Sequence, residues 1–319
     1  MTRYFVTGAS GFVGRALAER IVADGDEACC AVRTGAVDQI ASARYFEVGD
    51  DFSKLQDVWP DDRPIDCVVH LAARVHVMDE RADDPLAAFR RTNVTGALRV
   101  AEVAARAGVR RFVFVSSIKA VAEDDDGTPL RETDVPRPVD PYGISKLEAE
   151  RALLDFGAAH GMEVVIVRPP LVYGPGVRAN FLALMGALAR GVPLPLGAVR
   201  ARRSLVYLDN LVDALVQCAK HPEAAGQTFH VSDGVDLGVG ELARTLARHL
   251  HAPNRLVPVP VALLRAAGAL TGRSAQVSRL VGSLCLDVSH IRETLRWTPP
   301  YSADEGLRKT AEWFLARKR

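Results

Sequence analysis

The sequence predicts an α/β protein: a doubly wound parallel sheet of the Rossmann type with a smaller mixed α/β lobe. Three observations lead there. The opening stretch MTRYFVTGASGFVGR reads as strand, tight glycine turn and helix start. Strand-like and helix-like segments then alternate as far as Arg168, the rhythm of parallel strands joined by helical crossovers. At 319 residues the chain also exceeds a typical single core, so a second lobe is expected.

The apolar, β-favouring run Arg3 to Thr7 leads into Gly8, Gly11 and Gly14, and a helical pattern starts at Phe12 and continues through Val13, Leu17, Ile21 and Val22. Gly8 permits the turn, Gly11 lets a pyrophosphate approach the backbone, and Gly14 lets helix and strand pack closely. The amides of the turn, those of Phe12 and Val13 included, and the positive end of the helix dipole then face the phosphates. A glycine triplet between a strand and a helix predicts dinucleotide binding.

Further strands are expected over Glu27 to Val32, Arg44 to Val48 and Ile65 to Leu71. Asp84-Pro85 opens a long helix with proline in its first turn, running to about Ala107 and stopped by Gly108. Arg111 to Ser116 reads as a fifth strand, Pro141 to about Ala159 as a helix ended near Gly161, and Glu163 to Arg168 as a sixth strand. Pro169, Pro170, Pro175, Pro193 and Pro195 then mark a change of layer. Beyond them a helix is expected over Val206 to His221, a strand returning to the main sheet over Thr228 to Val231, and a helix over Leu237 to Leu250. Ser302 and Glu305 have capping-box spacing before a last helix that ends near Arg319. This divides the chain into a dinucleotide-binding domain, 1–168 with 200–233 returning to it, and a discontinuous substrate lobe over 169–319.

The net charge of +1 argues against a broad nucleic-acid or membrane electrostatic footprint. No apolar run is long enough to span a bilayer and the N-terminus does not read as a leader, so a cytoplasmic protein is expected. The five cysteines, Cys29, Cys30, Cys67, Cys218 and Cys285, show no C-x-x-C pair and no metal spacing, which suits a reducing compartment and a chain without a metal site. His70 and His76 have no ligand partners at metal spacing and read as structural.

The residues that carry chemistry are Tyr142 and Lys146 in DPYGISK, together with Ser116 and Ser117 at the end of the fifth strand. Tyrosine and lysine four apart share one helix face. A free phenol with a pKa near ~10 is a poor base at neutral pH, and a neighbouring ammonium favours its ionised form. A serine hydroxyl beside it would hold the reacting oxygen.

The G-x-x-G-x-x-G turn with this serine, tyrosine and lysine resembles the extended short-chain dehydrogenase/reductase family of nucleotide-sugar epimerases, dehydratases and reductases, and the resemblance covers essentially the whole chain. It implies that Ser117, 25 positions before Tyr142 and favoured over Ser116, positions the substrate oxygen. Tyr142 would then exchange the proton, and Lys146 would lower its pKa and reach the cofactor ribose. Ser116 joins the implied cofactor contacts, with Asp50 and Asp51 at the adenine, Leu71, Ala72 and Ala73 alongside, Asn93 in support and Pro169 at the nicotinamide. Where an NAD-preferring member offers an acid after the second strand, this chain has AVRTG; Arg33 suits a 2′-phosphate or stacks on adenine without preference, leaving NAD or NADP open.

For the substrate, the resemblance implies UDP contacts from Asn180, Arg203 and Arg279. The inward-pointing arginine is one of Arg202 and Arg203, and Ser204 replaces the usual aspartate. The stretches VSSIKAV, HLAARVHVM and SRLVGSLCLDVSHIRETLRWTPPYSADEGLRKTAEWF resemble the UDP-glucose 4-epimerase-like and UDP-N-acetyl-quinovosamine C4 dehydrogenase (4-keto reductase) subgroup of surface-polysaccharide synthesis. The implied activity is reduction at C4 of a UDP-linked (N-acetyl)hexosamine. A UDP-hexose 4-epimerase that retains NAD, or a reductase of a hydrophobic alcohol, is the alternative. Ile118 and Lys119 stand where a dehydratase carries an acid pair, Val121, Ala122 and Glu123 replace V-Y-G, and Lys119 has no assignable counterpart. Apolar residues beyond one face of the two long helices (Leu86, Phe89, Val94, Leu98 and Val103; Leu147, Leu153, Leu154 and Phe156) imply the family's homodimer seam.

Overall fold

The computed structural model describes residues 1–33, 39–75 and 84–317. The chain enters on β1 (Arg3–Thr7), turns into α1 (Phe12–Ala23) and returns on β2 (Glu27–Val32), at the boundaries its hydrophobic pattern predicts. β3 (Arg44–Glu47), the short α2 (Leu55–Val58) and β4 (Cys67–His70) follow. α3 (Pro85–Arg90) runs through a π-helical turn at Arg91–Thr95 into α4 (Gly96–Arg106). Then come β5 (Arg111–Val115), a 3₁₀ turn at Ile118–Ala120, α5 (Pro141–His160) and β6 (Glu163–Arg168).

Both long helices start at an Asp-Pro pair. Asp84 accepts from the Ala87 amide at 3.0 Å and Asp140 from the Gly143 amide at 2.7 Å, caps worth about 1 kcal/mol each. Gly161, at φ +67°, ends α5 in the left-handed conformation.

Beyond β6 lie β7 (Leu171–Tyr173), α6 (Ala179–Ala189), β8 (Arg202–Tyr207), α7 (Leu208–Lys220), β9 (Thr228–His230) and β10 (Asp236–Gly238). α8 (Val239–His249), α9 (Val261–Leu270), α10 (Ser274–Val281), α11 (Ser289–Leu295) and α12 (Ala303–Ala316) complete the chain. The main sheet has the order β3-β2-β1-β4-β5-β6-β9, every pairing parallel. Its order reverses between β1 and β4, where such sheets open a crevice beyond their carboxyl ends. The second sheet is β10-β8-β7.

Strands buried on both faces explain the continuous apolar runs: Phe5, Val68, Phe112 and Ile166 are fully buried on one side of the sheet, and Val6, Val113 and Val165 on the other. Burying each such side chain contributes about 2 kcal/mol. The lobe joins this body through buried polar groups. Tyr173 donates to Asp233 at 2.7 Å, and Asn210 donates to Asp233 and to the Tyr301 carbonyl, both at 2.8 Å.

Two expected helix starts move. Val206 and Tyr207 belong to β8, where they pair with Val172 and Tyr173, so the helix begins at Leu208. Leu237 lies in β10, paired with Arg203, so that helix begins at Val239. The Ser302–Glu305 capping box is present, with Ser302 N donating to Glu305 at 2.8 Å. His76 and the last two residues, Lys318 and Arg319, lie outside the described residues.

Candidate active site

The crevice at the switch point is a cleft of about 820 Å³. Gly8, Gly11, Phe12, Val13 and Gly14 line it from the β1–α1 turn, and Leu71, Ala72 and Ala73 from the end of β4. The turn tolerates no side chain at its tightest points. A Cβ on Gly14 would lie 2.2 Å from the Gly8 carbonyl oxygen, and Gly8 itself sits at φ +68° against the Ala72 amide. Thr7 braces this contact, its hydroxyl accepting from the Ala72 amide at 3.2 Å and meeting His70 Nδ1 at 2.9 Å. Burial pushes the His70 imidazole down to about 3, with the Lys146 charge adding to it, so the ring is neutral and structural.

Ser116, Ser117, Tyr142, Lys146 and Pro169 converge at the foot of the same cleft. The ends of β5 and β6 and the first two turns of α5 place them, and the close approach of α5 to the 3₁₀ turn requires Gly143, whose Cβ would lie 2.3 Å from the Lys119 carbonyl oxygen. Tyr142 packs edge-on against Phe89, ring centroids 6.1 Å apart, and its phenol lies beside Ser117. Ser116 is buried, its hydroxyl facing the cleft without a hydrogen-bond partner among the described residues. Lys146 is 1% exposed; its ammonium donates to the Val115 carbonyl at 2.7 Å and sits 3.9 Å from the centre of the Phe114 ring.

The electrostatics correct one expectation. Burial pushes the Tyr142 phenol up to about 12; Ser117 opposes this in part and the Asp140 carboxylate adds to it. Burial also brings the Lys146 ammonium down to about 7, against the pull of Glu150. The lysine adds no lowering of the phenol here, because burial leaves it neutral before the phenol ionises.

Lys119 acquires a role from the structure. Its ammonium bridges Glu123 at 2.8 Å and Asp140 at 2.5 Å, tying the segment after Ser117 to the cap of α5.

Other expected contacts separate. Arg33 and Asp50 line the cleft mouth, exposed and 3.9 Å apart, a surface pair worth at most about 1 kcal/mol. Asp51 does not line the cleft. It turns to Arg99 at 2.8 Å and accepts from the Ser53 amide, which holds its carboxyl down at about 2.

Asn93 lies behind the wall, buried in the π-helical turn. It accepts from the Arg74 amide at 2.8 Å and donates to the Arg74 carbonyl at 3.1 Å and to Ser145 at 2.9 Å. It clamps the strip after β4 to α5 and does not face the cleft.

Asn180, Arg203 and Arg279 do not line this cleft either. Asn180 is exposed on the first turn of α6, while Arg203 donates to the carbonyls of Arg279 and Gly282. Arg279 faces Glu123 at 3.8 Å. Ser204 is buried, bonded to Asp236 and to the Leu286 amide. Arg178, unremarked in the sequence, does line the cleft, as do Ser10 and Thr92.

A glycine cradle that admits no Cβ, backbone along a second wall and an unpartnered buried hydroxyl together fit a nicotinamide dinucleotide. No group of three or more metal-ligating side chains occurs among the described residues.

Comparison with known proteins agrees. The model of the NAD dependent epimerase/dehydratase family matches residues 4–232. A UDP-glucose 4-epimerase of Vibrio cholerae is 43% identical over 97% of this chain and 94% of its own. A GDP-6-deoxy-D-mannose reductase of Pseudomonas aeruginosa is 28% identical over 96% of this chain and 95% of its own. The structure of MoeE5 in complex with UDP-glucose and NAD superposes with a TM-score of 0.79 at 27% identity, covering 99% of this chain and all of that one. With the family model matched over most of its length and a relative 43% identical over 97% of it, the chain belongs to the NAD dependent epimerase/dehydratase family.

Proposed function

We propose that the protein reduces the C4 ketone of a UDP-linked (N-acetyl)hexosamine, a 4-keto reductase of surface-polysaccharide synthesis. The observation that carries this reading is Tyr142 beside Ser117 at the foot of a cleft whose mouth presents the exposed Arg33 in place of an acid that would retain the cofactor. A phenol held up at about 12 is an acid at neutral pH, suited to give its proton to a developing alkoxide. The bound nicotinamide dinucleotide supplies the hydride. The Ser117 hydroxyl positions the ketone oxygen, Tyr142 delivers a proton to it, and solvent reaching the cleft restores the phenol. Ser116 and Lys146 would hold the ribose and the amides of the β1–α1 turn the pyrophosphate. Arg33 at the open mouth, where a buried acid would grip the ribose hydroxyls, supports a cofactor that exchanges each cycle and admits NADP as well as NAD. On the sugar side, Arg178 joins Asn180, Arg203 and Arg279 as candidates for the diphosphate.

The second reading, a UDP-hexose 4-epimerase that keeps its NAD, is supported by the name of the Vibrio cholerae relative. Purified protein without added cofactor separates the two. Empty protein that consumes added reduced cofactor in proportion to a 4-keto UDP-sugar supports the reductase. Retained NAD, with UDP-sugars interconverting and no net change in reduced nicotinamide, overturns it. We also infer a homodimer through α3–α5, where Val94, Leu98, Leu154 and Phe156 are half-buried against the core; a monomeric mass by light scattering would refute it.

A further inference from the structure

From residue 242 to residue 286 the chain carries no aspartate or glutamate and six arginines, although the whole sequence holds 39 acids in 319 residues. Within this stretch lies α9, VALLRAAGAL, whose one charged residue is Arg265. A helix apolar nearly all round belongs in a core or in lipid. Here Gly268 is the one buried residue of the helix, and Leu263 and Leu270 are 60% and 89% exposed. Val257, in the segment leading to it, is 43% exposed.

The helix packs on α10 as a hairpin. Arg265 and Arg273 stand exposed on it, and among the described residues neither pairs with a carboxylate. Arg279, at the far end of α10, faces Glu123, and Arg203 grips the carbonyls of Arg279 and Gly282. The hairpin is thus anchored at its base, rests on the lobe's core through Leu264, Leu280 and Val281, and leaves its outer face bare.

We propose that the α9–α10 hairpin docks the protein on an anionic lipid bilayer, Leu263 and Leu270 entering the interface while Arg265 and Arg273 meet the headgroup phosphates. Ten residues of α9 cannot span a bilayer, and no helix among the described residues is long and apolar enough to cross one. An apolar helix rimmed by arginine lies in the interface plane instead. Charge selects lipid over a second copy of the chain: pairing this face with itself would bring arginine against arginine with no carboxylate in the stretch to offset them. The net charge of +1 conceals the feature because the balancing acids lie elsewhere in the chain.

The test is sedimentation of the full-length protein with phosphatidylglycerol/phosphatidylcholine vesicles and with phosphatidylcholine alone. Binding to the anionic vesicles, weakening as salt rises, is expected. Each cation near such a surface is worth about fivefold, so Arg265→Gln with Arg273→Gln should weaken partition roughly thirtyfold. Leu263→Asp with Leu270→Asp should abolish it. All four sites are exposed, so melting temperature and turnover of soluble substrate should stay unchanged. No association, or equal association of the Asp variant, overturns the proposal. So does a dimer by light scattering that the Asp substitutions dissolve, since the face would then be a contact between copies. None of these readouts depends on which reaction the cleft performs.

Discussion

Replacing Lys146 by methionine should stabilise the fold at pH 6 and cease to do so above pH 10.5. The side chain is 1% exposed, and burial brings its ammonium from 10.5 down to about 7. Below pH 7 the folded and unfolded chains both hold the proton, so the full cost of burying the charge is present. Between pH 7 and 10.5 the unfolded chain holds the proton and the folded chain does not, so stability rises with pH. Above 10.5 both are neutral and the cost is gone.

At about 1.4 kcal/mol per pKa unit the cost is on the order of 5 kcal/mol. Methionine forfeits the hydrogen bond to Val115, leaves that carbonyl unpaired and loses the contact with Phe114, together about 3 kcal/mol. The net gain is about 2 kcal/mol at pH 6, turning into a loss above pH 10.5. Urea unfolding of both proteins at the two pH values, without added cofactor, reads the difference, and turnover should be lost in the variant. A variant less stable than the parent by the same amount at pH 6 and pH 10.5 would refute the reasoning, because the ammonium would then carry no burial cost.

Three further outcomes follow from the same geometry. Tyr142→Phe should lower kcat by about 10²–10⁴ while leaving cofactor affinity, read by fluorescence titration, nearly unchanged, since the ring keeps its packing on Phe89 and loses only the proton. Asn93→Ala leaves both backbone groups of Arg74 and the Ser145 hydroxyl without their partner, so denaturant titration should show a loss of about 2–3 kcal/mol, and steady-state kinetics a larger rise in KM for cofactor than fall in kcat. Glu150→Gln breaks the buried pair with Arg168, now bonded at 2.6 and 3.0 Å, and should cost about 3–5 kcal/mol in the same titration.

The Rossmann half was legible because its signals are local. A six-residue run such as EACCAV between breakers is a strand wherever it lies, and the Asp-Pro pairs mark two helix starts without reference to anything distant. The second lobe was not. RRSLVY passes into LDNLVDALVQCAK with no breaker between them, and β7 is three residues that become a strand through pairing with β8. The site divides along the same line. The glycine turn and the Tyr142–Lys146 spacing are local and could be read. Which of Asp50 and Asp51 faces the cleft is settled by Arg99, 48 residues away from Asp51, and the role of Lys119 by Asp140, 21 residues on.

The sign of the Tyr142 shift is the most consequential non-local term. Spacing puts a lysine one turn along the helix, and from that alone a lowered phenol follows. What prevails is the burial of the phenol, with Ser117 opposing in part and the Asp140 carboxylate adding to it, while burial also takes the charge from Lys146 near pH 7. A cation lowers a neighbouring acid only while it is charged, and a lysine brought down to about 7 has lost its proton before a phenol at about 12 ionises. Tyr142 therefore rests protonated at neutral pH and can give a proton to a ketone oxygen. The resting protonation of this site is set by the burial of Tyr142; unequal pH optima for reduction and oxidation are expected, and identical optima would refute the assignment.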